Sequence, residues 1–199
     1  MEMLKDDFEF DVTYGPFELN PDMPKTGANQ RDYLTKKFGS AARYDQITRH
    51  VASIAREEGL HFDFDKQHVA PNTRLAHRLL LLAKQSGQQL ALKEGLMKAY
   101  FTDGIDLSKP EELKAICARA GLAPEKIDAV LESNWGETEV VLAEQMQQQR
   151  GITGVPFYII NNKYGVSGAQ PADTLRQIFQ EITVDANAAA ACETDKKNC

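Results

Sequence analysis

The sequence predicts an α/β protein in which a long helical segment interrupts a smaller part that contains the strands. Near the N-terminus, apolar and polar residues alternate, as they do in a strand with one buried face. The middle of the chain has helical spacing, and the last quarter begins with a β-rich run before helical spacing returns. We therefore predict four parts: a strand and loop over residues 1–28, a helical insertion over 29–150, a strand–strand–helix unit over 151–182 and a mobile tail over 183–199.

Composition limits the classes of partner. The chain has 199 residues and a formal net charge of −6, and its lysines and arginines are scattered among acids. This pattern gives no basic surface for nucleic acid or anionic lipid, so we expect protein or small-molecule partners. The first residues lack the basic flank and apolar run of a secretory signal, and the longest apolar stretch, residues 79–83, is too short to cross a bilayer. We therefore expect a cytoplasmic protein.

The first predicted element is a strand over residues 8–14. Phe8, Phe10, Val12 and Tyr14 alternate with polar residues before Gly and Pro interrupt the run. A loop follows, because three prolines disfavour helix there: Pro16, Pro21 and Pro24.

Residues 29–150 predict a series of helices separated by Gly, Asn and Ser punctuation. Asn72 and Thr73 precede an apolar helical stripe and are typical N-terminal capping residues. We assign capping to these two residues first, although both could instead face a crevice together with His77, one turn further on.

The C-terminal part predicts a β-hairpin and an amphipathic helix. Residues 155–160 and 164–167 form the two β-rich runs, and residues 161–163 between them have the composition of a tight turn. A helix follows from Pro171, with its apolar residues on one side: Leu175, Ile178, Phe179 and Ile182. Residues 183–199 offer too little apolar surface to pack, which is the reason for predicting a mobile tail.

Two segments of this part, GITGVPFYIIN over residues 151–161 and YGVSGAQP over 164–171, resemble the C-terminal signature of DsbA-type oxidoreductases. The resemblance is to the FrnE-like branch, which is related to 2-hydroxychromene-2-carboxylate isomerase and the kappa-class glutathione transferases. FELNP at residues 17–21 and PNTRLAH at 71–77 resemble two further segments of that branch. The resemblance as a whole extends over about residues 8–182, and it implies a thioredoxin-like fold with a large all-helical insertion.

The resemblance also implies a substrate site. In this family the residue that matches Pro156 is a cis-proline, and Val155 offers its N–H and C=O to an extended peptide or glutathione, as an added strand would. On the residues alone, a trans-proline that starts a strand is the commoner case. Gly154, Ser167 and Gln170 flank this position, and we include them as candidate substrate-binding residues with Val155 and Pro156. The candidate set also includes the crevice residues Asn72, Thr73 and His77.

A complete member of the family would carry, before the strand at Phe8, a first strand and a Cys-Pro-x-Cys motif at a helix start. The printed sequence has cysteines only at 117, 192 and 199, none of them in that motif. We therefore expect that the first strand and active-site helix are missing. A start site placed too late, a fragment, or a partner that fills the gap would each explain this.

The three cysteines predict different roles. Cys117 lies on the apolar face of a helix, where a cysteine usually packs. Cys192 and Cys199 lie in the predicted tail and could form a reversible disulfide that acts as a secondary redox pair, because closing such a short loop has a small entropic cost. Two exposed thiols of little consequence are an equal alternative. No cysteine or histidine spacing predicts a metal site.

The function that the resemblance implies is that of a thiol–disulfide oxidoreductase or isomerase, altered or inactive here because the Cys-Pro-x-Cys motif is absent. We expect no bound cofactor. The expected partners are protein thiol or disulfide substrates, or glutathione as co-substrate, and a homodimer is one expected form of assembly. A glutathione-dependent isomerase or transferase is an alternative. That class has an acidic residue soon after the glycine that matches Gly168, where this chain has Ala169 and Gln170. A peptide-binding module without catalysis is the third hypothesis.

Overall fold

The computed structural model describes the backbone of residues 2–196 and the side chains of residues 3–184. The chain divides into two compact units. The first, here called the helical unit, comprises residues 13–151. The second, the hairpin unit, combines residues 1–12 with the chain from residue 152 onward. In the described part of the chain, none of the helices combines the length and apolar character that crossing a bilayer requires.

The helical unit contains seven α-helices and one short antiparallel pairing. The paired strands are β1 (Ala28–Asn29) and β2 (Val69–Ala70). The helices are α1 (Gln30–Phe38), α2 (Ala41–Glu57), α3 (Arg74–Gln85), α4 (Gln89–Phe101), α5 (Pro110–Arg119), α6 (Pro124–Leu131) and α7 (Glu137–Gln149).

The helix ends follow local sequence signals. The Asn29 side chain accepts a hydrogen bond from the Asp32 N–H at the start of α1, and Ser40 does the same for Arg43 at the start of α2. These caps satisfy N–H groups that have no partner inside the helix. Gly39 ends α1 with φ 94°, a left-handed conformation that glycine adopts without steric cost.

The core of the helical unit lies among α3, α4, α5 and α6. Its side chains are almost completely buried, and the largest are Leu79, Leu92, Leu113, Ile116 and Ile127. Burying a side chain of this size contributes about 1.5–3 kcal/mol to folding. This cluster is therefore the main source of stability in the helical unit.

A buried ring of polar side chains joins α1, the 3-10 turn at Phe64–Lys66 and α4. The Gln30 Nε2 donates to Gln67 Oε1 at 2.6 Å, and the Tyr100 hydroxyl donates to Gln30 Oε1 at 2.6 Å. Gln67 Nε2 closes the ring on the Tyr100 carbonyl at 3.2 Å. Gln30 and Gln67 are 2% and 5% exposed, so these bonds replace the water that the amides lose.

The loop over residues 13–28 belongs to the helical unit, whereas the sequence assigned residues 1–28 to the strand-containing part. Its residues bond to the helices: Tyr14 exchanges two hydrogen bonds with the Gln89 side chain, and Tyr33 donates to Asn20. The physical reason for the difference is that Gln89, which holds Tyr14, lies 75 positions along the chain, a distance over which local sequence patterns report nothing.

The hairpin unit contains β3 (Phe157–Ile160), β4 (Tyr164–Ser167) and α8 (Ala172–Lys196). The strands are antiparallel and Ile160 pairs with Tyr164, so the predicted hairpin is confirmed. Asn161 and Asn162 form the turn with φ of 52° and 55°. Asparagine tolerates positive φ better than other residues with a side chain, which explains the Asn-Asn sequence here.

The predicted strand over residues 8–14 is wrong. The segment belongs to no β-ladder, because no strand in the described part of the chain pairs with it. The alternation nevertheless predicts correctly that its first two apolar residues, Phe8 and Phe10, pack against the core. Phe8 and Phe10 pack on Phe179 of α8, with ring centroids 5.5 and 5.2 Å away, beside Leu4 and Leu175.

The last helix is longer than the sequence predicts. We expected it to end at Ile182 and a mobile tail to follow, but α8 continues to Lys196. The added segment contains five alanines among residues 186–191, and alanine has the highest intrinsic helix propensity. A segment can therefore be helical without the apolar stripe on which the prediction depended.

Candidate substrate-binding edge

The edge that the sequence predicts as a substrate site lies at the start of the hairpin. The peptide bond between Val155 and Pro156 is cis. The Pro156 carbonyl accepts a hydrogen bond from the Gly168 N–H at 2.9 Å, so one side of this segment continues the hairpin ladder. Val155 is 50% exposed, and its N–H and C=O have no backbone partner in the described part of the chain.

The open end of the hairpin, where β3 begins and β4 ends, brings candidate residues together. Ser167 pairs with Phe157, and this register places Ser167 beside Pro156 and Val155. Gly168 follows with φ 79°, a left-handed turn that carries the chain towards α8. The Gln170 side chain donates to the Ser167 carbonyl at 2.9 Å. Gln170 therefore closes the end of the hairpin.

An exposed edge of this kind can add a strand. Unpaired N–H and C=O groups next to a hairpin are the groups that an extended peptide uses in β-augmentation. Pro156 itself has no N–H, so Val155 is the nearest residue that can both donate and accept. The geometry allows an extended backbone to bond at Val155 while Pro156 remains tied to Gly168.

Asn72 and Thr73 directly precede α3, where the capping hypothesis from the sequence placed them. Asn72 Oδ1 accepts from the Arg74 N–H at 3.0 Å, and its Nδ2 donates to the Met23 carbonyl at 2.6 Å. Thr73 occupies the cap position without a side-chain cap bond. Asn72 therefore makes the side-chain bond at the helix start, while Thr73 contributes its backbone carbonyl, which accepts from the His77 N–H at 3.0 Å.

His77 also has its partner within the helical unit. It is largely buried, and its side chain hydrogen-bonds the backbone of Phe17. Burial lowers the pKa of His77 from 6.5 to about 4, and the positive charge of Arg74 adds to the shift. The imidazole is therefore neutral at physiological pH and acts as a hydrogen-bonding group of the fold.

A charged cluster that the sequence did not predict lies at Arg74. Its guanidinium contacts three carboxylates: Glu18 at 2.5 Å, Glu137 at 3.0 Å and Glu144 at 4.0 Å. The Glu18 side chain is 1% exposed, and its Oε1 has no hydrogen-bond partner in the described structure. Burial raises the pKa of Glu18, although the Arg74 charge and hydrogen bond oppose the shift.

This cluster explains two of the sequence segments that resemble the family. Residues 17–21 and 71–77 contact each other through Glu18 and Arg74 and through Phe17 and His77. In the sequence, this ion pair could have been predicted only from the acid Glu18 within an apolar loop and the basic Arg74 after the Asn-Thr pair. Both segments therefore hold the loop on α3.

The cysteines separate into one that the structure describes fully and two that it does not. Cys117 is completely buried in the core of the helical unit, and burial raises its pKa to about 12. The prediction that it packs is confirmed. Cys192 lies on the helical backbone of α8, but its side chain is outside the described residues, as is the whole of Cys199. The predicted redox pair stays a prediction.

Comparison with known proteins agrees with this architecture. The model of the DSBA-like thioredoxin domain family matches residues 1–180. A crystal structure of a probable DsbA oxidoreductase from Streptomyces coelicolor is similar with a TM-score of 0.77 and 33% identity, over 83% of this chain and 72% of that one. No curated protein matches the sequence.

A more distant structure supports the fold alone. It belongs to a Nitrosomonas europaea protein assigned as a protein disulfide isomerase, with a TM-score of 0.62 and 17% identity over 72% of this chain and 75% of that one. The hairpin with its cis-proline, the helical unit and the match over residues 1–180 lead to one conclusion. The chain belongs to the DsbA-like family of thioredoxin-fold proteins.

Proposed function

We propose that this protein takes part in thiol–disulfide exchange, as a DsbA-type oxidoreductase or isomerase of the FrnE-like branch. The observation that carries the proposal is the open edge at Val155, which is half exposed and has no backbone partner in the described structure. An extended peptide with a cysteine, or glutathione as co-substrate, fits this edge because both have consecutive backbone-type donors and acceptors.

The proposed exchange needs a thiolate near this edge. The thiolate attacks one sulfur of the substrate disulfide, a new S–S bond forms, the old one breaks, and the second sulfur leaves as a thiolate that takes up a proton. Cys117 does not supply the attacking group, because its thiol is buried with a pKa of about 12. The nucleophile is then Cys192 or Cys199, or a Cys-Pro-x-Cys pair of the family type in a longer form of the protein.

The glutathione-dependent isomerases are less well supported. They would use an acidic residue soon after the glycine at 168 to hold the glutathione amine, whereas Ala169 and Gln170 occupy those positions here. The Gln170 amide is already bonded to the Ser167 carbonyl. Glutathione would therefore bind through the Val155 edge alone.

The test separates binding from exchange. Binding is measured by fluorescence anisotropy of a labelled extended peptide that contains a serine in place of its cysteine. Val155→Asp places a carboxylate at the edge, and Ile159→Asp makes the same change at another exposed position of the same hairpin. We expect Val155→Asp to weaken binding at least about tenfold and Ile159→Asp to leave it within about twofold.

Exchange is measured as dithiothreitol-driven reduction of insulin by the unchanged protein and by the Cys192→Ser/Cys199→Ser double variant. Activity that the double variant loses assigns the chemistry to the C-terminal cysteines. Peptide binding without insulin reduction in the 199-residue protein indicates that the nucleophile lies outside this sequence or that the module only binds. Equal binding by both aspartate variants and the unchanged protein would refute the Val155 edge as the site.

A further inference from the structure

Helix α2 carries an apolar stripe that is partly open to solvent. Ile47, Val51 and Ile54 have the i, i+4, i+7 spacing that places side chains on one face of a helix. Val51 is 36% exposed and Ile54 is 47% exposed, while Ile47 is partly exposed. The buried residues of the helix are Tyr44 and Ala55, and the spacing places both on the same side as Val51. The stripe therefore borders the face by which α2 packs onto the helical unit, and its outer edge at Ile47 and Ile54 is open to solvent.

The charges at the two ends of this stripe have opposite signs. Arg43 lies one turn before Ile47, and Glu58 lies one turn after Ile54 at the end of the helix. Both side chains are exposed, and neither has an ion-pair partner among residues 3–184. By contrast, Asp45 on another side of α2 already pairs with Arg31 at 2.9 Å.

The stripe has an approximate two-fold symmetry. Its centre lies between His50 and Val51, Ile47 and Ile54 are equally distant from that centre, and so are Arg43 and Glu58. An identical helix that lies antiparallel on this face would place Ile47 against Ile54 and Arg43 against Glu58, twice in each pair of molecules. A two-fold contact requires this kind of self-complementarity.

We propose that this face of α2 docks a second copy of the chain, antiparallel, around Ile47, Val51 and Ile54, with reciprocal Arg43–Glu58 ion pairs at its two ends. Other charged or titratable groups that flank the face are His50 and Glu57, both exposed, whereas Arg49 lies on the opposite side of the helix. Glu57 is next to Glu58 and adds to the attraction for Arg43. The proposal is independent of thiol chemistry and of the Val155 edge.

The size of the face predicts a weak dimer. A helix of 17 residues is about 25 Å long, and a helix pair of that length buries less surface than the roughly 1,200 Å² of a stable complex. We therefore expect a dissociation constant on the order of tens of micromolar. Sedimentation velocity of the full chain between 2 and 400 µM covers this range, with dithiothreitol present so that no intermolecular disulfide contributes.

Charge exchange tests the two-fold arrangement directly. Arg43→Glu places two acids together at both ends of the face, and Glu58→Arg places two bases together there. Each variant alone should dimerise at least roughly tenfold more weakly than the unchanged protein. An equimolar mixture of the two should recover the original affinity, because every Arg–Glu contact is then restored between unlike chains. The double variant Arg43→Glu/Glu58→Arg should recover it as well.

The apolar part is tested with Ile54→Glu, which should abolish dimerisation over the same range. The matched control is Leu90→Glu, which changes a residue of α4 that is 55% exposed and lies off the stripe. Circular dichroism melting of each variant verifies folding. A protein that stays monomeric at 400 µM overturns the proposal. So does a dimer that Ile54→Glu leaves intact, or single charge variants whose mixture associates no better than either alone.

Discussion

The neutral imidazole of His77 predicts a loss of stability at mildly acidic pH. In the folded protein its pKa is about 4, whereas in the unfolded chain it has the ordinary value of 6.5. The unfolded state therefore binds the proton more readily, and stability falls as the pH drops below 6.5 towards 4. Integrated from pH 7.5 to pH 5, these two pKa values give a loss of about 2 kcal/mol from this residue.

His77→Gln removes the titration and retains an amide that can still donate to the Phe17 backbone. The measurement is urea unfolding at pH 7.5 and at pH 5, followed by the fluorescence of Trp135, the single tryptophan, which lies in the helical unit. Between these pH values the unchanged protein should lose about 2 kcal/mol more than the variant does. The difference between the two pH values cancels any cost of the substitution itself.

His61→Gln serves as the control, because His61 is an exposed imidazole of the same unit. It should leave the pH dependence of the unchanged protein intact. If unchanged protein and His77→Gln lose the same free energy of unfolding within about 0.5 kcal/mol, the argument that burial keeps His77 neutral is refuted.

Three further substitutions or reactions test the helical unit. Arg78 is 6% exposed and donates to the carbonyls of Val130, Ser133 and Trp135. Arg78→Met should therefore lower the free energy of unfolding by about 3 kcal/mol in urea titrations. A loss below about 1 kcal/mol would contradict this role. Tyr100→Phe leaves a buried Gln30 oxygen without its donor, so it should lower the free energy of unfolding by about 1–2 kcal/mol in the same titration. An unchanged unfolding midpoint would show that the ring of polar groups does not stabilise the fold. In the Cys192→Ser/Cys199→Ser background, Cys117 should react with Ellman's reagent only in denaturant, because its thiol is buried with a pKa of about 12; rapid labelling of the native protein would contradict the packing role.

What could be predicted from sequence was mainly local. The hairpin is specified by two β-rich runs and an Asn-Asn turn, all within about a dozen residues, so its register follows from the turn. The helix starts at Asn29 and Ser40 have side-chain caps within three residues. Signals of this range do not depend on how distant parts of the chain fold.

The errors came from effects of longer range. Residues 8–14 alternate like a strand, but a strand also needs a neighbour for its N–H and C=O groups, and alternation does not report whether one is present. Phe8 and Phe10 instead bury their rings on Phe179. Likewise, the ion pair between Glu18 and Arg74 joins residues 56 positions apart, and no local pattern marks either one as the partner of the other.

The sequence segments that resemble the family separate into two physical roles. Residues 17–21 and 71–77 bond to each other through a buried acid, a guanidinium and a neutral imidazole, so changing them removes interactions that hold the helical unit together. Val155 makes no such bond in the described structure and is half exposed. A substitution there changes what the edge can bind without uncovering a buried charge, whereas a change at Arg74 leaves the buried Glu18 carboxylate without its ion-pair partner. A change at Glu18 removes the contact that holds the loop on α3, although Arg74 keeps Glu137 and Glu144. Loss of function therefore has different meanings at the two places: loss at Val155 with an unchanged unfolding midpoint identifies the binding edge, and loss at Arg74 reports on folding first.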